Sequence, residues 1–118
     1  MLTKEEAKAY LRVDSDYEDG IIESLTSSAT AICMDMARLT PEEWDAIWNY
    51  DMDAEDPEPV VIRGEEYVGR DVVRISRSLH IAVYYALGYL YEHREEADHH
   101  ALYMTLRCLL SSVREGVL

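Results

Sequence analysis

The side chains able to do chemistry gather in two stretches. The first is EHREEADHH, which brings together Glu92, His93, Glu95, Glu96, Asp98, His99 and His100. Glu96 and His99 stand at the i, i+3 spacing with which helical bundles hold two iron ions, because both side chains then leave one face of a helix. A di-iron centre needs that pair twice, with further carboxylates from two other helices, and no second pair exists in the chain. Zinc would need His99 with another histidine, yet adjacent histidines project from different helical faces. The second stretch is the loop DMDAEDPEP, where Asp51, Asp53, Glu55, Asp56 and Glu58 suggest calcium. It lacks the glycine and the closing glutamate of an EF-hand loop, so a solvated acidic loop is expected. No metal or other cofactor is expected at either place. The chain also holds no HExxH, no glycine-rich phosphate loop and no Ser or Cys beside a recognisable base, so it is read as a non-enzyme.

The elements that must position these groups follow from apolar spacing. Between Asp71 and Arg94, Val72, Ile75, Leu79, Ala82, Val83, Ala86, Leu87 and Leu90 recur three and four residues apart, which predicts a long helix with Asp71 as N-cap. Leu79, Val83, Leu87 and Leu90 are its expected core. Ile81, Tyr84, Tyr85, Tyr89 and Tyr91 widen the apolar band, so the helix is expected to be central and covered on more than one side. Its uncharged run, Ile81 to Tyr91, is far shorter than the roughly 20 residues a membrane span needs.

Upstream, Thr3 with Glu6 and Ser15 with Glu18 both have the capping-box pattern. They predict a short helix from Lys4 to about Leu11 and a long one over about 16–37, with Ile21, Ile22, Leu25, Ala29, Ile32, Cys33 and Met36 inward. Ser24, Thr26, Ser27 and Thr30 are expected on its outer side, either as a plain solvated face or as small residues that allow close approach of another helix or subunit. Thr40 as N-cap with Pro41 at the first helical position starts a short helix carrying Trp44, Ile47 and Trp48. A β-hairpin is expected near 60–68, from Val60-Val61-Ile62 and Tyr67-Val68 around Arg63-Gly64-Glu65-Glu66. Leu102, Leu106, Leu109, Leu110 and Val113 give a last helix, with Arg107 and Arg114 outside and Gly116 past its end. The expected fold is all-α: a single domain over 1–118, a bundle of four to five helices with two long ones at about 16–37 and 71–94.

The net charge of −13 is uneven: residues 1–62 hold 16 acids against 4 bases, and residues 63–118 hold 8 against 7. Such acidity repels phosphate backbones and disfavours sequence-reading of nucleic acid, apart from a basic patch that Arg63, Arg70, Arg74 and Arg77 could form. Cys33 and Cys108 both read as reduced core thiols of a cytosolic product, and no signal peptide is expected, since the sequence opens into a charged amphipathic segment.

Three segments carry a family resemblance: LTKEEAKAYLRVDSDYEDGIIESLTSSATAIC, SLHIAVYYALGYLYEHREEAD and LRCLLSSVREGVL. The most specific parts are LRVDSD at Leu11 to Asp16, YEHRE at Tyr91 to Glu95, and LLSSVR. Together they resemble the head-to-tail connector family of tailed double-stranded DNA phages and prophages, also called phage DNA packaging or head completion proteins. The chain departs from that pattern between about Met36 and Arg70, where the WDAIWNYDMDAEDPEP stretch forms a longer, more acidic insertion at about 38–70. The resemblance implies a small helical structural protein that assembles in the bacterial host cytoplasm and resides in the virion neck. There it forms a homo-oligomeric ring, about a dozen subunits around, joining the portal protein to the next head-completion or tail protein. DNA only passes through such a ring, and no membrane is involved. An acidic lumen would keep the duplex from adhering, which would give the acidic half a role and place the loop acids Asp51, Asp53, Glu55, Asp56 and Glu58 at the lumen or an interface; the alternative is that the acidity only maintains solubility. Two alternatives remain from other classes: an acidic DNA mimic or regulatory interaction protein, and a metal-dependent helical enzyme.

Overall fold

Two helices start where the sequence writes a complete cap. The computed structural model describes residues 1–96 and 98–116. α1 (Lys4–Leu11) begins at Thr3, whose hydroxyl accepts from the Glu6 N–H while the Glu6 carboxylate accepts from the Thr3 N–H. α3 (Pro41–Trp48) repeats this with Thr40 and Glu43, and Pro41 occupies the first helical position, where its missing N–H costs nothing. α2 spans Asp19–Ala37, α4 Arg70–Glu92, α5 His100–Leu109 and α6 Ser111–Glu115. The only strands among the described residues, β1 (Val60–Ile62) and β2 (Glu65–Tyr67), pair antiparallel with Val60 opposite Tyr67. The fold is thus a small helical bundle with a hairpin.

α4 is the axis. All eight residues of its expected apolar row are buried, with Leu79, Val83 and Leu87 wholly enclosed and Leu90 nearly so. α2 covers it with Ile22, Ala29, Cys33 and Ala37, α3 with Trp44 and Ile47, and α5 with Leu102 and Leu106. The molecule measures 42 × 31 × 18 Å.

Several local expectations give way to longer-range contacts. Asp71 lies in the first turn of α4 and does not cap it. The N-cap is Gly69, at φ 60° and ψ −129°, a region glycine alone enters cheaply, and its N–H donates to the Tyr50 hydroxyl at 2.7 Å. The Ser15–Glu18 box does not form. Glu18 itself occupies the N-cap position of α2, and its carboxylate turns away to accept from the Tyr91 hydroxyl at 2.7 Å and Arg94 at 2.6 Å. The hairpin turn is Arg63-Gly64 alone, both at positive φ (49° and 85°), the form that matches strand twist, so Glu65 and Glu66 belong to β2.

The last helix divides at Leu110, where the Ser111 hydroxyl donates to the Cys108 carbonyl, the local competition that serines exert within helices. Thr26 and Thr30 face inward, each hydroxyl donating to the carbonyl four residues back, at 2.8 and 2.9 Å, so their burial leaves no polar group orphaned. Ile21 is 46% exposed, because it stands on the far edge of α2 from Ile22 and Ala29. Arg114 turns inward and donates to the Met36 carbonyl. Cys33 is buried as expected, but Cys108 is exposed: two residues beyond Leu106, it points to the opposite side of α5.

Candidate functional site

The acidic loop between α3 and β1 is exposed from Asp51 to Pro59, and Asp51, Asp53, Glu55, Asp56 and Glu58 all reach solvent. The Asp51 carboxylate accepts from the Asp53 N–H at 3.0 Å, an Asx turn that fixes the start of the loop. Among the described residues, no cation forms an ion pair with any of the five acids. They form a solvated charge cluster.

In the EHREEADHH stretch the described residues serve packing and capping. The His93 ring lies over Tyr89 with centroids 4.1 Å apart, and its Nδ1–H donates to the Tyr89 carbonyl at 2.9 Å. A carbonyl only accepts, so that nitrogen carries the proton. His99 meets the same tyrosine edge-on at 6.0 Å, and Asp98 accepts from the His100 N–H at 2.9 Å, as a helix-starting turn requires. Arg94 stacks on Tyr91 and pairs with Glu18. Glu92, Glu95 and Glu96 are exposed around this turn. Among the described residues, no three His, Cys, Asp or Glu side chains gather closely enough to hold a metal ion.

Of the four arginines expected to form a basic patch, Arg63 is taken by the fold. Its guanidinium donates to the carbonyls of Ala37, Arg38 and Val113, and so closes the C-terminal ends of α2 and α6. Its own N–H donates to Glu43 at 2.8 Å. Arg70, Arg74 and Arg77 remain together on α4, lining a groove with Met52 and Val73. Beside them the His80 ring stacks on Trp48 at 3.6 Å, with its Nδ1–H given to the Ser76 carbonyl at 2.8 Å. Sequence spacing does not reveal that aromatic stack: Trp44, Trp48 and His80 all lie on predicted helices, but nothing in their spacing says that α3 crosses α4 at His80.

Shifted carboxylates here mark joints in the fold. The Tyr91 hydroxyl, and then Arg94, hold the Glu18 carboxyl below its ordinary value of 4.5. Lys8 does the same for Asp19, and its ammonium reaches Asp19 and Asp16, each at 2.9 Å. Among the described residues, no helix is long and apolar enough to cross a membrane. Comparison of the chain with protein-family models, with curated proteins and with solved structures returned no match.

Proposed function

We propose that this chain is a structural subunit of the neck of a tailed double-stranded DNA phage or prophage. In this reading it forms a ring that joins the portal protein to the next head-completion or tail protein after DNA packaging. It catalyses nothing and reads no DNA sequence. The supporting observation is where the segments that resemble the connector family lie. LRVDSD runs from the end of α1 into the turn before α2, YEHRE runs from the end of α4 into the turn after it, and Glu18, two residues past the first motif, bonds to Tyr91 and Arg94 of the second. LLSSVR closes the frame, with Arg114 bonded to the carbonyl of Met36. The departing segment, with α3, the acidic loop and the hairpin, is added to one side of α4.

The exposed acidic loop fits a protein past which DNA must slide, since unpaired carboxylates repel a duplex. The test is retention of the purified chain on immobilised portal protein encoded by the same phage or prophage, with an unrelated portal as control. Selective retention on the cognate portal is expected. Absence of binding across a salt and concentration series would contradict the reading.

A further inference from the structure

α4 leaves one row of its surface uncovered. Arg70, Arg74, Arg77, Ile81 and Tyr85 are exposed, and each follows the last by three or four residues, so they form a single line about 22 Å long. The line changes character halfway: three guanidinium groups give way to Ile81, 58% exposed, and Tyr85, 41% exposed. Among the described residues, no acid forms an ion pair with any of the three arginines, in a chain of 24 acids and 11 bases. Cations beside uncovered apolar groups suit a partner that is acidic at one end and apolar at the other.

The same chain presents such a surface elsewhere. In the turn from α1 into α2, Asp14 is exposed, as is Asp16 apart from its one contact with Lys8, followed by Tyr17 at 94% and, in the first turn of α2, Ile21 at 46%. Because Glu18 bonds to Tyr91 and Arg94, this turn sits beside the far end of α4. Arg70 is 21 residues before Tyr91, so the arginines begin roughly 30 Å from the turn. In a molecule 42 Å long these surfaces cannot meet within one chain. Between two chains they can.

We propose that the α4 row is the docking surface for the α1–α2 turn of a second copy of this chain. Asp14 and Asp16 lie opposite the arginines, and Tyr17 and Ile21 cover Ile81 and Tyr85. A contact between unlike surfaces near opposite ends repeats head to tail, and such a series either closes into a ring or grows as a filament. This supplies the subunit contact for the neck reading and rests on that reading only for its biological setting. The acidic loop borders the row through Met52, so its charge opposes docking.

The test uses two charge-reversed forms of the full chain, each checked for folding by circular dichroism. One carries Arg74→Glu and Arg77→Glu; the other carries Asp14→Arg and Asp16→Arg. Alone, each sets like charges against each other, and sedimentation velocity between about 10 μM and about 1 mM should show self-association at least tenfold weaker than wild type. Mixed in equal amounts, the new glutamates face the new arginines while the other contact stays native, so association should return. A wild type that stays monomeric to about 1 mM, or a mixture no stronger than its parts, overturns the proposal. Should a reversed form not fold, Ile81→Ser with Tyr85→Ser tests the apolar half: a tenfold loss supports the contact and unchanged association overturns it. Portal retention, measured in parallel, separates the two readings. Rescue without portal binding keeps this contact and removes the neck function, and portal binding without rescue does the reverse.

Discussion

Leu87 stands mid-way along α4 with none of its surface exposed, which makes it a direct probe of the core. Leu87→Ala should lower unfolding free energy by about 2 to 5 kcal/mol, since a cavity adds to the lost transfer energy. That is a large share of the roughly 5 to 15 kcal/mol available to a small domain. Denaturant titration checks it, and a loss below about 0.5 kcal/mol would contradict the placement of this face. The two cysteines offer a second probe. Burial pushes the Cys33 thiol up to about 12, whereas Cys108 is open to solvent. A thiol reagent at neutral pH should therefore modify one cysteine in the folded chain and both after unfolding. Equal reactivity of both in the folded state would contradict this.

At the scale of elements, the joint at Glu18 sets a pH dependence. Its folded pKa lies below 4.5, so the stability it contributes is present above that value and is lost as pH falls through it towards the folded value. The melting-temperature gap between wild type and Glu18→Gln should be widest near neutrality and shrink as pH falls below 4.5. A gap independent of pH would count against the joint. Arg63 makes a parallel case: Arg63→Ala strips donors from three carbonyls and should cost about 1 to 3 kcal/mol, with Lys recovering only part. Full stability of the alanine variant in denaturant would contradict that role. These joints mark the limit of what sequence spacing reveals. The helices were legible because their apolar periods are long, and the Thr3 and Thr40 caps because their partners lie three residues away. Glu18 and Arg63 were not, since their partners lie 20 to 76 residues distant. The acidic loop was legible as a solvated cluster from its prolines and charge. The α4 row was not: spacing tells which residues share a face, but only the packing of α1, α2, α3 and α5 tells which face stays bare.

The whole molecule is 18 Å thick, with arginines near one end, an acidic-apolar turn near the other, and an acidic loop beside the arginines. Its assembly should therefore be restrained by charge. Replacing Asp53, Glu55, Asp56 and Glu58 with Asn or Gln should leave the fold intact and ease self-association, because repulsion between neighbouring loops and the opposition to docking both fall. The central claim, that this chain builds a ring on a portal, is met most directly by electron microscopy of the concentrated protein, alone and with the cognate portal, for wild type and the loop variant. Closed rings of uniform diameter are expected, more abundant with the variant, and stacked coaxially on the portal when it is present. Single subunits in every sample, with bare portals beside them, would contradict it.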